Sequence, residues 1–165
     1  WEKKSIKRYK SAPHITKNKK IIKKNIQSET RKVRYNLLTT FCKKKKIPVI
    51  CFPRGIKDYK NFCEIVKPDA VNIDYDVDPE KIVKEIKIPI QGGLDPKILL
   101  TDKEILKKEV EKYLHIFKDH PYIFNLGHGI LPETKIEMVE NLIKIVRDFK
   151  WDQITQKLIM VKQVF

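Results

Sequence analysis

The clearest structural pattern in the sequence is the stretch Pro121-Tyr122-Ile123-Phe124-Asn125-Leu126-Gly127-His128-Gly129. A proline precedes a short apolar run, and two glycines flank one histidine directly after it. Short runs rich in β-branched and aromatic residues are typical of buried strands. Proline is tolerated at the first position of a strand, where no ladder donor is needed. The stretch therefore predicts a buried strand that ends beside His128.

A proline also precedes three other short apolar runs between Ile47 and Lys150. Apolar runs at residues 49–52, 70–73 and 90–91 follow Pro48, Pro68 and Pro89. A helical pattern follows each of the four runs, so that strands and helices alternate at a spacing of roughly 20–30 residues. This alternation predicts right-handed β/α units and a parallel sheet.

The helical patterns are amphipathic. The clearest runs from Leu106 to Phe117, and its apolar residues recur on one helix face. A second pattern covers residues 139–146, a third covers residues 59–66, and Asp78 before Pro79 predicts a cap for a short helix over residues 79–86. We also predict two capping boxes, in the pairs Thr101/Glu104 and Thr134/Glu137.

Glycines and polar residues are concentrated just beyond the predicted strands. All five glycines lie there, and so do the polar residues Arg54, Asp74, Gln91 and His128. Sites in parallel α/β proteins are built at the carboxyl ends of the strands, and glycine lets the backbone approach a ligand closely. Each glycine could instead simply turn the chain, and Arg54 could be a solvated loop residue.

The net charge of +15 comes entirely from residues 1–46, because the basic and acidic residues of 47–165 balance. We therefore divide the chain into a basic segment (1–46), a β/α segment (47–150) and a tail with a short helix (151–165). Residues 1–46 could be a solvated or marginally helical segment, unrelated or out-of-frame sequence, or a transit peptide. A nucleic-acid-binding arm is disfavoured because the segment lacks interleaved aromatic residues and a recognisable module.

Several classes of protein are disfavoured by composition. Three cysteines without CxxC spacing do not suggest a disulfide framework or zinc knuckle, and they fit a reducing cytosol. His14, His115 and His120 show no metal-ligand spacing, so no metal site is expected. No apolar run is long enough for a membrane span. The first residue is Trp1, which suggests a processed chain or a fragment.

Three motifs resemble the uroporphyrinogen decarboxylase family, and they occur in the family's order. The stretch from Tyr122 to Glu133 resembles its C-terminal signature. Gln91-Gly92-Gly93-Leu94-Asp95-Pro96 is similar to its Gln-Gly-Asn-Leu-Asp-Pro turn, and Asn72-Ile73-Asp74-Tyr75 resembles its Leu-Asp-Trp strand end. The resemblance runs from about residue 47 to residue 150. Two positions differ, since Gly93 stands for Asn and Tyr75 for Trp.

The resemblance implies the last four parallel units of a (β/α)₈ TIM barrel from a cytoplasmic, homodimeric enzyme. That family of carboxy-lyases converts uroporphyrinogen to coproporphyrinogen in haem biosynthesis by decarboxylating four acetate side chains. It uses no metal or organic cofactor, because a protonated pyrrole accepts the released electrons. The protein supplies donors for the substrate carboxylates and an acid that delivers protons.

The resemblance assigns His128 to the porphyrinogen substrate site. Arg54, Asp74, Gln91, Gly92 and Gly127 are further candidates for substrate binding, although Asp74 and Gln91 could equally be structural. The family's arginine-rich loop and pyrrole-facing aspartate have no matching motif here, so the catalytic residues are unknown.

A complete barrel needs about 250 residues, so we expect a fragment that is inactive alone. Two alternatives are a barrel-type methyltransferase, which would need zinc ligands, and a basic nucleic-acid-binding protein on a barrel remnant.

Overall fold

The computed structural model describes residues 30–150, so the first 29 residues and the expected tail helix lie outside the described part. Helix α1 covers residues 30–44. After it come β1 (Ile50–Cys51), α2 (Tyr59–Val66), β2 (Ala70–Ile73), α3 (Pro79–Glu85), β3 (Ile90–Gly92), a 3₁₀ helix (Pro96–Leu100), α4 (Lys103–Ile116), β4 (Tyr122–Ile123) and α5 (Ile136–Asp148).

The four strands form one sheet in the order β1-β2-β3-β4, and every neighbouring pair is parallel. The predicted alternation of strands and helices and the parallel sheet are thus confirmed. Strand β4 is shorter than predicted, because pairing stops after Ile123 and resumes only as a single bridge between Leu94 and Leu126. The chain leaves regular strand geometry where it enters the glycine-flanked loop.

The two faces of the sheet carry different residues. Cys51, Val71, Ile90 and Tyr122 are aligned by the strand register and are at most 2% exposed, since they pack with the helices. Strand side chains alternate between faces. Asn72 and its register partner Gln91 therefore project to the opposite face.

Helices α2 and α4 contribute more buried residues to the core beneath the sheet than the other helices do. Tyr59, Phe62 and Val66 are buried on α2, and the α4 residues that the sequence pattern predicts are buried as well. They are Leu106, Val110, Tyr113, Leu114 and Phe117. Helix α5 matches its prediction in part: Leu142 is buried and Val139 and Val146 pack against the core, but Met138, outside the predicted pattern, is buried as well.

Helix α1 precedes the expected boundary at residue 47, yet it packs against helix α2, which follows this boundary. The Tyr35 ring meets Phe62 edge-on with centroids 5.3 Å apart. Thr39 is 1% exposed, and its hydroxyl donates to the carbonyl oxygen of Val66 at 2.9 Å. Within the described residues, the packed unit therefore includes helix α1.

Both predicted capping boxes are wrong. Asp102 caps α4, since its carboxylate accepts the N–H groups of Glu104 and Ile105, while the Thr101 hydroxyl donates backwards to Ile98. A carboxylate one residue closer to the helix displaces the weaker hydroxyl cap.

Helix α5 begins after Lys135 without any side-chain cap. Glu137 is instead paired with Lys103, which lowers the pKa of that carboxyl. The cap predicted at Asp78 is confirmed, because its carboxylate accepts the N–H of Glu80 at 3.0 Å.

We predict that Thr39→Val lowers the free energy of unfolding by about 1–3 kcal/mol, because the Val66 carbonyl loses its buried donor. The neighbouring exposed Thr40→Val is the matched control and should change stability by less than about 0.5 kcal/mol. Chemical denaturation followed by circular dichroism measures both. Equal stabilities for the two variants would contradict the packing of α1 as an integral element.

Candidate functional site

A cavity of about 530 Å³ lies on the face of the sheet opposite the helices. Its lining comes from all four strands or from the loops that directly follow them: Ile50, Phe52, Arg54, Asn72, Gln91, Asn125, Leu126, His128 and Gly129. The carboxyl ends of parallel strands are the usual position of sites in this class of protein. Three of the predicted site residues, Arg54, Gln91 and His128, therefore line one cavity.

Arg54 lies in the loop between β1 and α2, and helix α1 holds this loop. The Tyr35 hydroxyl donates to the Phe52 carbonyl oxygen at 2.8 Å, and the Arg31 guanidinium donates to the carbonyl oxygen of Arg54 itself. These contacts fix the backbone on both sides of Pro53. The exposed Arg54 side chain is then free to reach the cavity.

Gln91 is held by the glycine turn that ends β3. Gly92 and Gly93 have φ angles of +80° and +102°, which side chains rarely tolerate. The Tyr122 hydroxyl donates to the Gly92 carbonyl oxygen at 2.7 Å, and the Tyr113 hydroxyl donates to that of Gly93 at 2.8 Å. Gly92 approaches a neighbouring strand rather than the cavity, because a Cβ there would lie 2.7 Å from Asn72 Oδ1.

Tyr113 and Tyr122 are buried, and burial raises the pKa of both phenols well above the usual value. They therefore stay protonated at neutral pH and remain hydrogen-bond donors to the turn.

His128 lies at the rim of the cavity in the loop after β4. Its Nδ1 atom accepts the N–H of Gly129 at 2.7 Å, so in the neutral ring the proton is on Nε2. The side chain is exposed, and its ring meets Tyr75 edge-on with centroids 6.4 Å apart. The ring can therefore donate a hydrogen bond from Nε2 to a ligand oxygen.

Gly127 positions this histidine loop by close packing. Its N–H donates to the Leu94 carbonyl oxygen at 2.8 Å. A Cβ at residue 127 would lie 2.5 Å from the backbone nitrogen of Tyr75, so no side chain fits. Gly127 is buried and is absent from the lining of the cavity.

The structure does not place Asp74 in the cavity with the other three polar candidates. Asp74 is 7% exposed, and its carboxylate accepts the N–H of Tyr75 at 3.1 Å. Its own N–H donates to the hydroxyl of Tyr59, whose pKa burial raises to about 12. Asp95 is likewise engaged in a turn, since it caps the 3₁₀ helix by accepting the N–H of Lys97.

The electrostatic character of the cavity is one-sided. Arg54 and His128 contribute positive or proton-donating groups, and Asn72, Gln91 and Asn125 contribute neutral carboxamides. None of the lining residues is acidic. Such a set favours an anionic ligand, because carboxylates need donors and are repelled by other carboxylates.

A second cavity of about 380 Å³ lies at the N-termini of α4 and α5 and differs in character. Its charged lining includes Asp102, Lys103, Glu133, Lys135 and Glu137, so both signs are present and partly paired.

Two classes of feature are absent from residues 30–150. No group of three or more His, Cys, Asp or Glu residues is placed to hold a metal ion. No helix in this part of the chain is long and apolar enough to cross a membrane.

Residues 20–149 match the family model for uroporphyrinogen decarboxylase. The chain belongs to the uroporphyrinogen decarboxylase family. The resemblance found in the three motifs is confirmed, but the match also covers residues 20–46, which the sequence analysis placed outside it. Helix α1 therefore belongs to the family segment.

The relatives are bacterial proteins named uroporphyrinogen decarboxylase. The one from Rickettsia bellii is 46% identical over 107 residues, which are 64% of this chain and 32% of that protein. The one from Rickettsia africae is 49% identical over 105 residues (62% and 30%), and that from the Wolbachia of Drosophila simulans is 41% identical over 103 residues (62% and 30%). The chain thus matches about a third of the length of these relatives.

Sequence reasoning missed Asn72, Asn125 and Phe52 as lining residues. Asn72 lies in the motif Asn72-Ile73-Asp74-Tyr75, from which only Asp74 was predicted as a site residue. The sequence does contain a signal for Asn72, because Asn72 and Asp74 are two residues apart and therefore share a strand face. In the structure, Asn72 is also level with Gln91 in the sheet.

We predict that Gly127→Ala destabilises the protein by about 1–3 kcal/mol, because the new methyl group would overlap the Tyr75 backbone. Gly129→Ala is the matched control, since a Cβ there has no heavy atom within 4 Å. In thermal unfolding, the Tm of Gly127→Ala should be several degrees lower than the Tm of Gly129→Ala. If both melt together, Gly127 does not make the close contact described above.

Proposed function

We propose that this protein binds uroporphyrinogen at the cavity formed by Arg54, Gln91 and His128. In the full family reaction, the four acetate side chains of this substrate lose carbon dioxide to give coproporphyrinogen. The proposal is supported by family membership together with a cavity that has cationic and amide donors and no acidic lining residue.

We further propose that the four β/α units form part of an eight-stranded barrel. The strands are parallel and in chain order, and the helices cover only one face of the sheet. The other face, which carries the cavity, would be the barrel interior. Eight strands give an interior that side chains fill, with the site at the carboxyl ends of the strands.

The proposed roles follow from the geometry. His128 donates from Nε2 to a substrate carboxylate, and Arg54 pairs with another carboxylate at the rim. Gln91 donates from its amide, while Gly92 and Gly127 shape the turns that hold Gln91 and His128. Asp74 has a structural role, because its contacts hold the end of β2.

Decarboxylation requires more than this cavity. The pyrrole-facing aspartate and the arginine-rich loop that the family resemblance implies have no matching motif in this sequence. We therefore propose that this chain binds the substrate, and that turnover requires a site that also includes those groups. A homodimeric state, a cytoplasmic location and chemistry without metal or organic cofactor are further parts of the proposal. Neither a nucleic acid nor a membrane is part of it.

We predict that His128→Ala weakens binding of uroporphyrin, the stable oxidised form of the substrate, by about tenfold or more. Loss of a hydrogen bond to a charged group costs about 1.5–3 kcal/mol, which corresponds to that change in Kd. Fluorescence titration measures the affinity. His115→Ala, an exposed position on α4, serves as the control.

The titration also tests the whole proposal. Equal affinities for wild type and His128→Ala would remove His128 from the site. Failure of the wild-type protein to bind uroporphyrin at all would refute the proposed function.

A further inference from the structure

We infer that Asn72 and Asn125 bind carboxylates of the ligand, and that their neutral amides help to set the preference of the cavity for a polyanion. This inference rests on the proposed function and extends it to two residues. Strand β2 and the segment after β4 each place an asparagine in the cavity, and Gln91 lies on the strand between them. Two neighbouring strands and the segment that follows the third thus present one carboxamide each.

The orientation of the Asn125 amide is determined by its backbone neighbour. The N–H of Leu126 lies 2.8 Å from Asn125 Oδ1. A backbone N–H can only donate, so the oxygen of the amide must occupy that position. The amino group of Asn125 is therefore at the other end of the amide, where it can serve as a donor in the cavity.

Asn72 is oriented by a similar argument. Its Nδ2 donates to the Ile73 carbonyl oxygen at 3.3 Å, and its Oδ1 packs against Gly92. An amino group carries two N–H donors, so one remains for a ligand. Any side chain at residue 92 would collide with the Asn72 amide, so Gly92 keeps space for this orientation.

Neutral donors suit a ligand with several carboxylates. Each amide provides a hydrogen bond to an anion without introducing a charge into a partly buried site, where Asn72 is only 8% exposed. A carboxylate at either position would repel the ligand, because like charges interact strongly when little water separates them. Substituting aspartate for asparagine therefore reverses the proposed interaction and hardly changes the shape.

Asn125→Asp is the sharpest variant. The aspartate still accepts the Leu126 N–H through one oxygen, so the local turn is retained and only the amino group becomes an anionic oxygen. Asn72→Asp makes the same change at the more buried position. Asn141→Asp on α5 is the matched control, because it makes the same charge change at a residue outside the cavity lining.

The experiment titrates uroporphyrin into each variant at neutral pH and at two salt concentrations, with circular dichroism as the check on folding. We expect Asn125→Asp and Asn72→Asp to weaken binding about tenfold or more, with a smaller difference at high salt. The Kd of Asn141→Asp for uroporphyrin should stay within about twofold of the wild-type value. If Asn72→Asp does not fold, Asn72→Ser, which removes the amide without adding charge, should still weaken binding.

Two failures are distinguishable. If wild type binds uroporphyrin and the cavity variants match Asn141→Asp, this inference is wrong and the proposed function stands. If wild type does not bind uroporphyrin, the proposed function itself is wrong and the inference falls with it.

Discussion

The hydrogen bonds from two buried tyrosine hydroxyls to the carbonyl oxygens of Gly92 and Gly93 constrain the rest of the site. They come from different elements, since Tyr113 is on α4 and Tyr122 is on β4. The two bonds therefore tie the glycine turn at the end of β3 to both α4 and β4. The turn follows directly after Gln91, which pairs with Asn72, and leads to Leu94, whose carbonyl oxygen accepts the N–H of Gly127.

A second constraint links the N-terminal helix to the same cavity. Helix α1 contacts the loop after β1 through Tyr35 and Arg31, and this loop carries Arg54. The helix is also buried against α2 at Thr39. Two parts of the cavity lining are therefore supported by helices: α1 supports the Arg54 loop, and α4 supports the glycine turn. The proposed binding residues and the core residues are separate sets that share the same short strands.

The order of strands and helices and the collection of polar groups at one edge could be predicted, because periodicity, prolines and glycines record them locally. Helix α1 was not predicted as a packed element, because few of its residues pack, such as Tyr35 and Thr39, while Val33 and Phe41 are exposed. The capping boxes failed because a pairwise motif does not show that Asp102 competes for the same N–H groups. The sequence left both a binding and a structural role open for Asp74, because it gives the strand end but not which hydrogen bonds engage the carboxylate.

The exposed surface of α1 carries a row of apolar residues. Val33, Leu37 and Phe41 recur every four residues and are 59%, 66% and 60% exposed. They form an apolar stripe on the α1 side of the sheet, where β1 is an edge strand among the described residues. In the proposed barrel, another β/α unit would pack on this stripe and pair with that edge. The cavity does not depend on this contact for its lining, since all nine residues come from the four strands and their loops. The proposed substrate binding can therefore be separated physically from the proposed closure of the barrel, because one depends on the strand ends and the other on the sheet edges.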